Sequence, residues 1–169
     1  MAITLDGTTG VTTPAILNNA GNGVGNIGNA TGYFNTAFVK ATSAQYADLA
    51  EMYVADADYE PGTVLIFGGN NEVSISITEA DNRVAGVVST NPAHVMNSAV
   101  QGKYITPLSL AGRVPTKVLG PVLKGAMMVS AGNGHAQACA TPAVGTVIGK
   151  AVENFDGLSG TIEIVVGRL

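Results

Sequence analysis

Charge is scarce in this chain. Asp, Glu, Lys and Arg make up 12% of its 169 residues, while apolar residues make up 46%. That is about half the charged share of an ordinary soluble domain. A surface so poor in charge is expected to be covered by other subunits over much of its area. The net charge of −4 comes with no Lys/Arg cluster, which excludes a nucleic-acid partner. No apolar run approaches the roughly 20 residues of a membrane span. The first twenty residues lack the basic start and apolar centre of a signal peptide, so no membrane partner and no export are expected. A single cysteine, Cys139, excludes an internal disulfide and reads as a small buried apolar residue made in a reducing cytoplasm. Tryptophan is absent and aromatics are 5%, which leaves little to stack on sugars.

What is present is a repeat. Pro61-Gly62-Thr63-Val64-Leu65-Ile66 returns 63 residues later as Lys124-Gly125-Ala126-Met127-Met128-Val129. At the same spacing Gly69 meets Gly132, and Val84-Ala85-Gly86 meets Val147-Ile148-Gly149, without gaps. Each copy reads as a Gly turn, an apolar strand, a Gly-rich hairpin, a second strand, a polar loop and a third strand. Two copies are too few for a solenoid, so they are expected to pack face to face as one small β-domain.

The expected fold class is mainly β: a small barrel or sandwich with two pseudo-repeated units, an extended N-terminal arm and one short helix. Residues 1–40 form the arm, for attachment and trimerisation, and residues 41–169 the β-rich domain. Asn18 to Gly32 offers almost nothing to bury, so its order must come from symmetry mates or a docking surface. Tyr33 to Val39 reads as an apolar strand. The helix is placed over Thr42–Tyr53, capped by Ser43, with Tyr46, Leu49, Ala50 and Tyr53 on one face; an extended alternative puts Tyr46 with Asp48 and Glu51 with Tyr53 in strand register. After Pro61 the expected strands are Thr63–Phe67, Val73–Ile77, Val84–Ser89, Tyr104–Ile105, Leu110–Val118, Ala126–Val129, Ala136–Cys139, Gly145–Ala151 and Thr161–Val166. Gly68–Asn71 and Gly132–Gly134 are their tight hairpins.

Chemistry finds no footing. Gly23-Val24-Gly25-Asn26-Ile27-Gly28 matches the dinucleotide fingerprint in letters, but neither a strand before it nor a helix after it is expected. His94 and His135 have no set of metal-ligand neighbours, and His135 with Cys139 establishes no nucleophile–base geometry. Asp56, Asp58 and Glu60 alternate without the Gly that a calcium loop requires, and read as a solvated acidic turn. No catalytic, cofactor-binding or metal-binding residue is expected, no cofactor, and no enzymatic activity.

The wording of the chain is nevertheless familiar. Ile3-Thr4-Leu5-Asp6-Gly7-Thr8-Thr9-Gly10-Val11-Thr12-Thr13-Pro14 resembles the opening of many tailed-phage fibre and appendage proteins. Gly25-Asn26-Ile27-Gly28-Asn29-Ala30-Thr31-Gly32-Tyr33-Phe34-Asn35-Thr36 resembles their recurring element. Ala41–Glu51, Arg83–Pro92, Gly112–Pro115, Gly120–Gly125 and Gly145–Glu153 are similar to the C-terminal domain of myophage and cyanophage fibre-like proteins. Tyr46–Glu51 and Gly86–Ser89 are distantly similar to the self-cleaving chaperone domain of neck-appendage proteins. The cleavage junction of that group has no counterpart, so self-proteolysis is not expected.

The resemblance implies a virion component made in the host cytoplasm: a short trimeric fibre, collar or head-decoration protein. Its partners would be itself, as a homotrimer, other virion proteins of capsid, neck or tail, and a host cell surface. The alternative is a host receptor- or glycan-binding fibre tip. Tyr33, Phe34, Phe38, Tyr46, Leu49 and Tyr53 are the candidate subunit-interface residues around a three-fold axis; otherwise these side chains fill the core of one subunit.

Overall fold

The computed structural model describes Ile27, Asn29, Thr31, Gly32 and residues 47–167. The chain divides into two units, Met1–Ala41 and Thr42–Leu169. In the first, Asn29 and Gly32 form an antiparallel bridge, and the Asn29 side-chain oxygen accepts from the N–H groups of Thr31 and Gly32. That is an Asx-type turn, which asparagine favours because its side chain mimics a backbone carbonyl.

The second unit is all β among the described residues, with ten strands in one continuous hydrogen-bonded system. These are β1 (Asp48–Ala55), β2 (Val64–Phe67), β3 (Val73–Ile75), β4 (Val84–Val88), β5 (His94–Met96), β6 (Tyr104–Leu119), β7 (Met127–Gly132), β8 (His135–Ala138), β9 (Val147–Ala151) and β10 (Ser159–Val166). Following the ladders shows two closed rings. β1 pairs with β6, β6 with β4, β4 with β2, β2 with β3, and β3 returns to β1 in parallel at Ala55↔Val73. β6 then pairs with β10, β10 with β9, β9 with β7, β7 with β8, and β8 returns to β6 in parallel at Val118↔Ala136. The 16-residue β6 is the last strand of the first ring and the first strand of the second. Closure removes the exposed strand edges that invite aggregation.

The 63-residue echo is therefore the register of a duplicated barrel. Ala55↔Val73 becomes Val118↔Ala136, and the β2–β4 irregularity at Leu65/Ile66 becomes the β7–β9 irregularity at Met128/Val129. The N–H of Gly62 donates to Val88, as that of Gly125 does to Ala151, both at 2.8 Å. The strands closing each copy follow a second offset of 56: Ala50↔Ser109 through Ala55↔Tyr104 maps onto Arg113↔Val165 through Val118↔Gly160. The seven extra residues of the first copy lie in the connection that carries β5, an added strand parallel to β1.

Each ring has its own core. Leu65, Val73, Val88, Leu108 and Ala55 fill the first; Val114, Val118, Met128, Ile148 and Ile164 fill much of the second. Strand alternation sends Leu65 and Val88 into the first ring while Val64 and Val87 face outward, where they join the second ring's cluster. The rings thus pack side by side across a seam rather than face to face. Burying Val64 and Val87 there contributes about 2 kcal/mol each.

Two expectations are corrected. The helix over Thr42–Tyr53 is not formed where the chain is described, since Asp48–Ala55 is β1. An apolar spacing spanning two or three turns is too weak to nucleate a helix against a ladder closing the ring. The extended alternative is right for Glu51 and Tyr53, whose hydroxyl donates to the Glu51 carboxylate at 2.8 Å. Tyr104–Ile105 and Leu110–Val118 are one strand, not two. Pro107 reads as a break in the run, but it lies beyond Val88↔Leu108, the last pair between β4 and β6.

The two glycines at the third strands of the repeat have a steric origin. A β-carbon on Gly86 would collide with the Ser109 carbonyl oxygen, and one on Gly149 with that of Val165. Ser109 and Val165 are equivalent under the second offset, so the same close approach is built twice.

Candidate functional site

The seam between the rings is built from a few specific contacts. The β7–β8 hairpin tip of the second ring enters between β2 and β3 of the first. Gly134 accepts from the Val64 N–H at 2.8 Å and donates to the Ser76 carbonyl at 2.9 Å. Glycine is required there: a β-carbon would meet Thr63 Cγ2 at 2.6 Å and Ile75 at 3.1 Å. Asn133 and Gly134 both carry positive φ, 48° and 70°, as the primed hairpin turns demand. Beside the tip, the Lys117 N–H donates to Gly62 at 2.9 Å, and its ammonium reaches Glu60 at 3.0 Å and the Thr63 hydroxyl at 3.1 Å.

A second stitch joins the β3–β4 connection to β7. The Ala80 N–H donates to the Ser130 carbonyl, the Asp81 N–H to the Ser130 hydroxyl, and that hydroxyl to Thr78. Asp81 is nearly buried and is bound by Arg83 through two side-chain hydrogen bonds. Those bonds hold its carboxyl below the usual carboxylate value, against the opposing effect of burial. A lowered folded value means stability that is present above the ordinary carboxylate range and lost as pH falls through the lowered one. Asp81→Asn should therefore be less stable than the parent at neutral pH, and the gap should shrink in acid; urea unfolding at both pH values checks this.

On the second ring, the face equivalent to the seam is open. A groove of ≈ 770 Å³ is lined by Leu123, Gly125, Ala126, Met127, Ala138 and Cys139, with Pro121, Ala140 and Lys150 at its margin. It is apolar, and Leu123 is 71% exposed. Cys139, expected to be buried, is half-buried on this surface. The groove was not expected from the sequence, because which face of each copy is covered is fixed by the packing of the two rings. A smaller cleft of ≈ 420 Å³ holds Asp48, Ser89, Asn91, Arg113 and Glu163, with Arg113 and Glu163 paired at 3.2 Å.

The residues considered for chemistry lie apart. His94 is on β5, and His135 begins β8 with its Nδ1 2.8 Å from the Asn133 carbonyl. Asp56, Asp58 and Glu60 are exposed; the Tyr59 hydroxyl donates to Asp56, and Glu60 pairs with Lys117. Burial first, and then the Asp56 bond, push the Tyr59 phenol up from its ordinary value. Among the described residues no group of three or more His, Cys, Asp or Glu side chains is placed to hold a metal ion, and no helix is long and apolar enough to cross a membrane.

Of the candidate interface residues, Leu49 is 37% exposed on β1, and Tyr53 is half-buried on the same strand, edge-to-face with Phe67. Tyr33, Phe34, Phe38 and Tyr46 lie outside the described residues, as does all of the Gly23–Gly28 motif except Ile27.

No protein-family model matches the chain, and no curated protein matches it. Among solved structures it is similar to the head fibre gp8.5 N base of bacteriophage phi29, at 18% identity and a TM-score of 0.42, over 70% of this chain and 93% of that one.

Proposed function

We propose that this protein is a structural component of a tailed-phage virion: a short trimeric fibre, collar or head-decoration protein that acts by assembly and attachment rather than by catalysis. The observation that carries this reading is where the fibre-like segments fall. Arg83–Pro92 contains β4, Gly112–Pro115 begins the half of β6 that pairs with β10, Gly120–Gly125 is the turn into β7, and Gly145–Glu153 contains β9. The resemblance thus follows the strands and turns that build the rings, and it continues into the first unit through the Asn29–Gly32 turn.

Physical features support the same reading. Both barrels are closed and edge-protected, charge is sparse, and the second ring presents an apolar face. Tyr33, Phe34, Phe38, Tyr46, Leu49 and Tyr53 would pack about the three-fold axis, with capsid, neck or tail proteins as attachment partners.

Immunogold labelling of intact virions tests the proposal. Regular labelling of head, neck or tail is expected, and unlabelled particles from a lysate that contains the protein would refute it. Light scattering of the purified chain should give about three times the 17.0 kDa chain mass. Reproducible binding to host polysaccharide on a glycan array would favour the receptor-binding tip instead.

A further inference from the structure

The packing of the seam places a chemically labile step at its centre. The residues at the β7–β8 tip are Asn133 and Gly134, and each answers to a separate need. Position 133 has a φ of 48°, which asparagine tolerates better than most residues. Position 134 must be glycine, because a β-carbon would strike Thr63 and Ile75. At the equivalent tip of the first copy the pair is Asn70-Asn71, and both residues are exposed. In the seam, the two needs together produce an Asn-Gly pair. That is the pair in which asparagine most readily loses its amide, because glycine puts no side chain over its own nitrogen.

The reaction needs the Gly134 nitrogen. It attacks the side-chain carbonyl carbon of Asn133, the new C–N bond closes a cyclic imide, and the side-chain nitrogen leaves as ammonia with the Gly134 proton. Water then opens the ring. Opening at one carbonyl gives aspartate with an ordinary backbone; opening at the other gives isoaspartate, whose backbone is longer by a methylene. In the folded chain this nitrogen is engaged. Gly134 is buried, its N–H donates to the Ser76 carbonyl at 2.9 Å, and its carbonyl accepts from the Val64 N–H at 2.8 Å. The carbonyl of the same peptide unit, that of Asn133, lies 2.8 Å from His135 Nδ1. That peptide plane must turn before its nitrogen can face the side-chain carbon, and it is held at both edges. The Asn133 side chain is exposed, so water reaches it and only the nucleophile is withheld.

We propose that Asn133 is a deamidation site gated by the seam: its amide is lost only when the β7–β8 tip leaves the first ring, and the isoaspartate formed keeps the tip from returning. Local opening of a hairpin tip costs less than unfolding a barrel, so the folded chain reaches the reactive geometry without melting. Once the turn is longer by a methylene, Gly134 no longer meets the Val64 N–H and the Ser76 carbonyl in register. The space around Gly134 is already too small for a β-carbon, so the longer turn has no room to adjust. The Val64 N–H then loses its acceptor, and an opening that was transient becomes permanent. The modification is a covalent record of seam opening. It follows from the packing of the tip and stands whether or not the protein belongs to a virion.

Prolonged incubation of the full chain at neutral pH, folded and in urea, followed by peptide mapping with mass spectrometry, tests this. Mapping separates Asn133 from the chain's other Asn-Gly pair, Asn22-Gly23. Asn133 should lose its amide in both samples, at least about tenfold more slowly in the folded one. Ser130→Ala loosens the second stitch of the seam, and Lys117→Ala the contacts beside the tip. In the folded chain each should speed the loss about two- to tenfold, in step with hydrogen exchange at the Gly134 amide. In urea both variants should match the parent. Chains carrying isoaspartate should exchange rapidly at the Val64 amide, whereas Asn133→Gly, which has no amide to lose, should keep Val64 protected through the same incubation. Equal rates in folded and urea samples, no loss at Asn133 in either, variant rates that do not follow Gly134 exchange, or a protected Val64 in the isoaspartate chain would each overturn the proposal.

Discussion

Gly149→Ala should cost the protein about 3 kcal/mol or more, at the upper end for forcing extra volume into a packed site. The new methyl group would lie against the Val165 carbonyl oxygen, with the β10 backbone close behind. A backbone carbonyl held in a closing ladder has no rotamer by which to retreat. β9 and β10 must therefore separate, and with them the second ring. For a domain of this size the melting temperature should fall by roughly 10 °C. Gly86→Ala should do the same to the first ring through Ser109. Gly125→Ala is the control: its φ of 85° imposes strain, but a β-carbon there meets nothing within 4 Å, so a cost of about 1 kcal/mol is expected. Equal effects at Gly125 and Gly149 would show that backbone conformation, and not close approach, fixes these glycines.

The second large effect is a matched pair. Leu65 and Met128 occupy the same position in the two rings, and both are fully buried. Truncating either to alanine should cost about 2–5 kcal/mol, through lost transfer energy and the cavity left behind. Because β6 belongs to both rings, neither barrel can melt and leave the other with five strands. Each variant should therefore unfold in one cooperative transition followed identically by circular dichroism and tyrosine fluorescence. Two separated transitions in Leu65→Ala would mean that the rings are independent domains.

The repeat was legible because Gly62, Gly69 and Gly86 answer to steric needs that both copies share. Turns and close approaches leave letters that packing positions do not. The other two strands of each ring were invisible as repeats for two reasons. β1 and the second half of β6 share a register but hardly a residue, since Asp48-Leu49-Ala50-Glu51 has to accommodate β5 while Ala111-Gly112-Arg113-Val114 does not. The fifth strand follows an offset of 56, so a gapless comparison at 63 passes over it. The helix over Thr42–Tyr53 does not form because Leu49 and Tyr53, four residues apart, share a face in a helix and in a strand alike, and ring closure chose the strand, which turns Ala50 to the opposite face. The groove stayed hidden for a different reason. Ala126 and Ala138 are unremarkable letters, and their meaning appears only once Thr63 and Ile75 are known to be covered.

The measurement closest to the centre of this account is a nuclear Overhauser experiment across the two parallel closures. Two rings sharing β6 require cross-strand contacts between the α-protons or amides around Ala55 and Val73, and separately around Val118 and Ala136. Both sets should be present with similar intensity. Finding either set absent, with amides on β3 or β8 exchanging as fast as a free edge, would contradict the duplicated barrel.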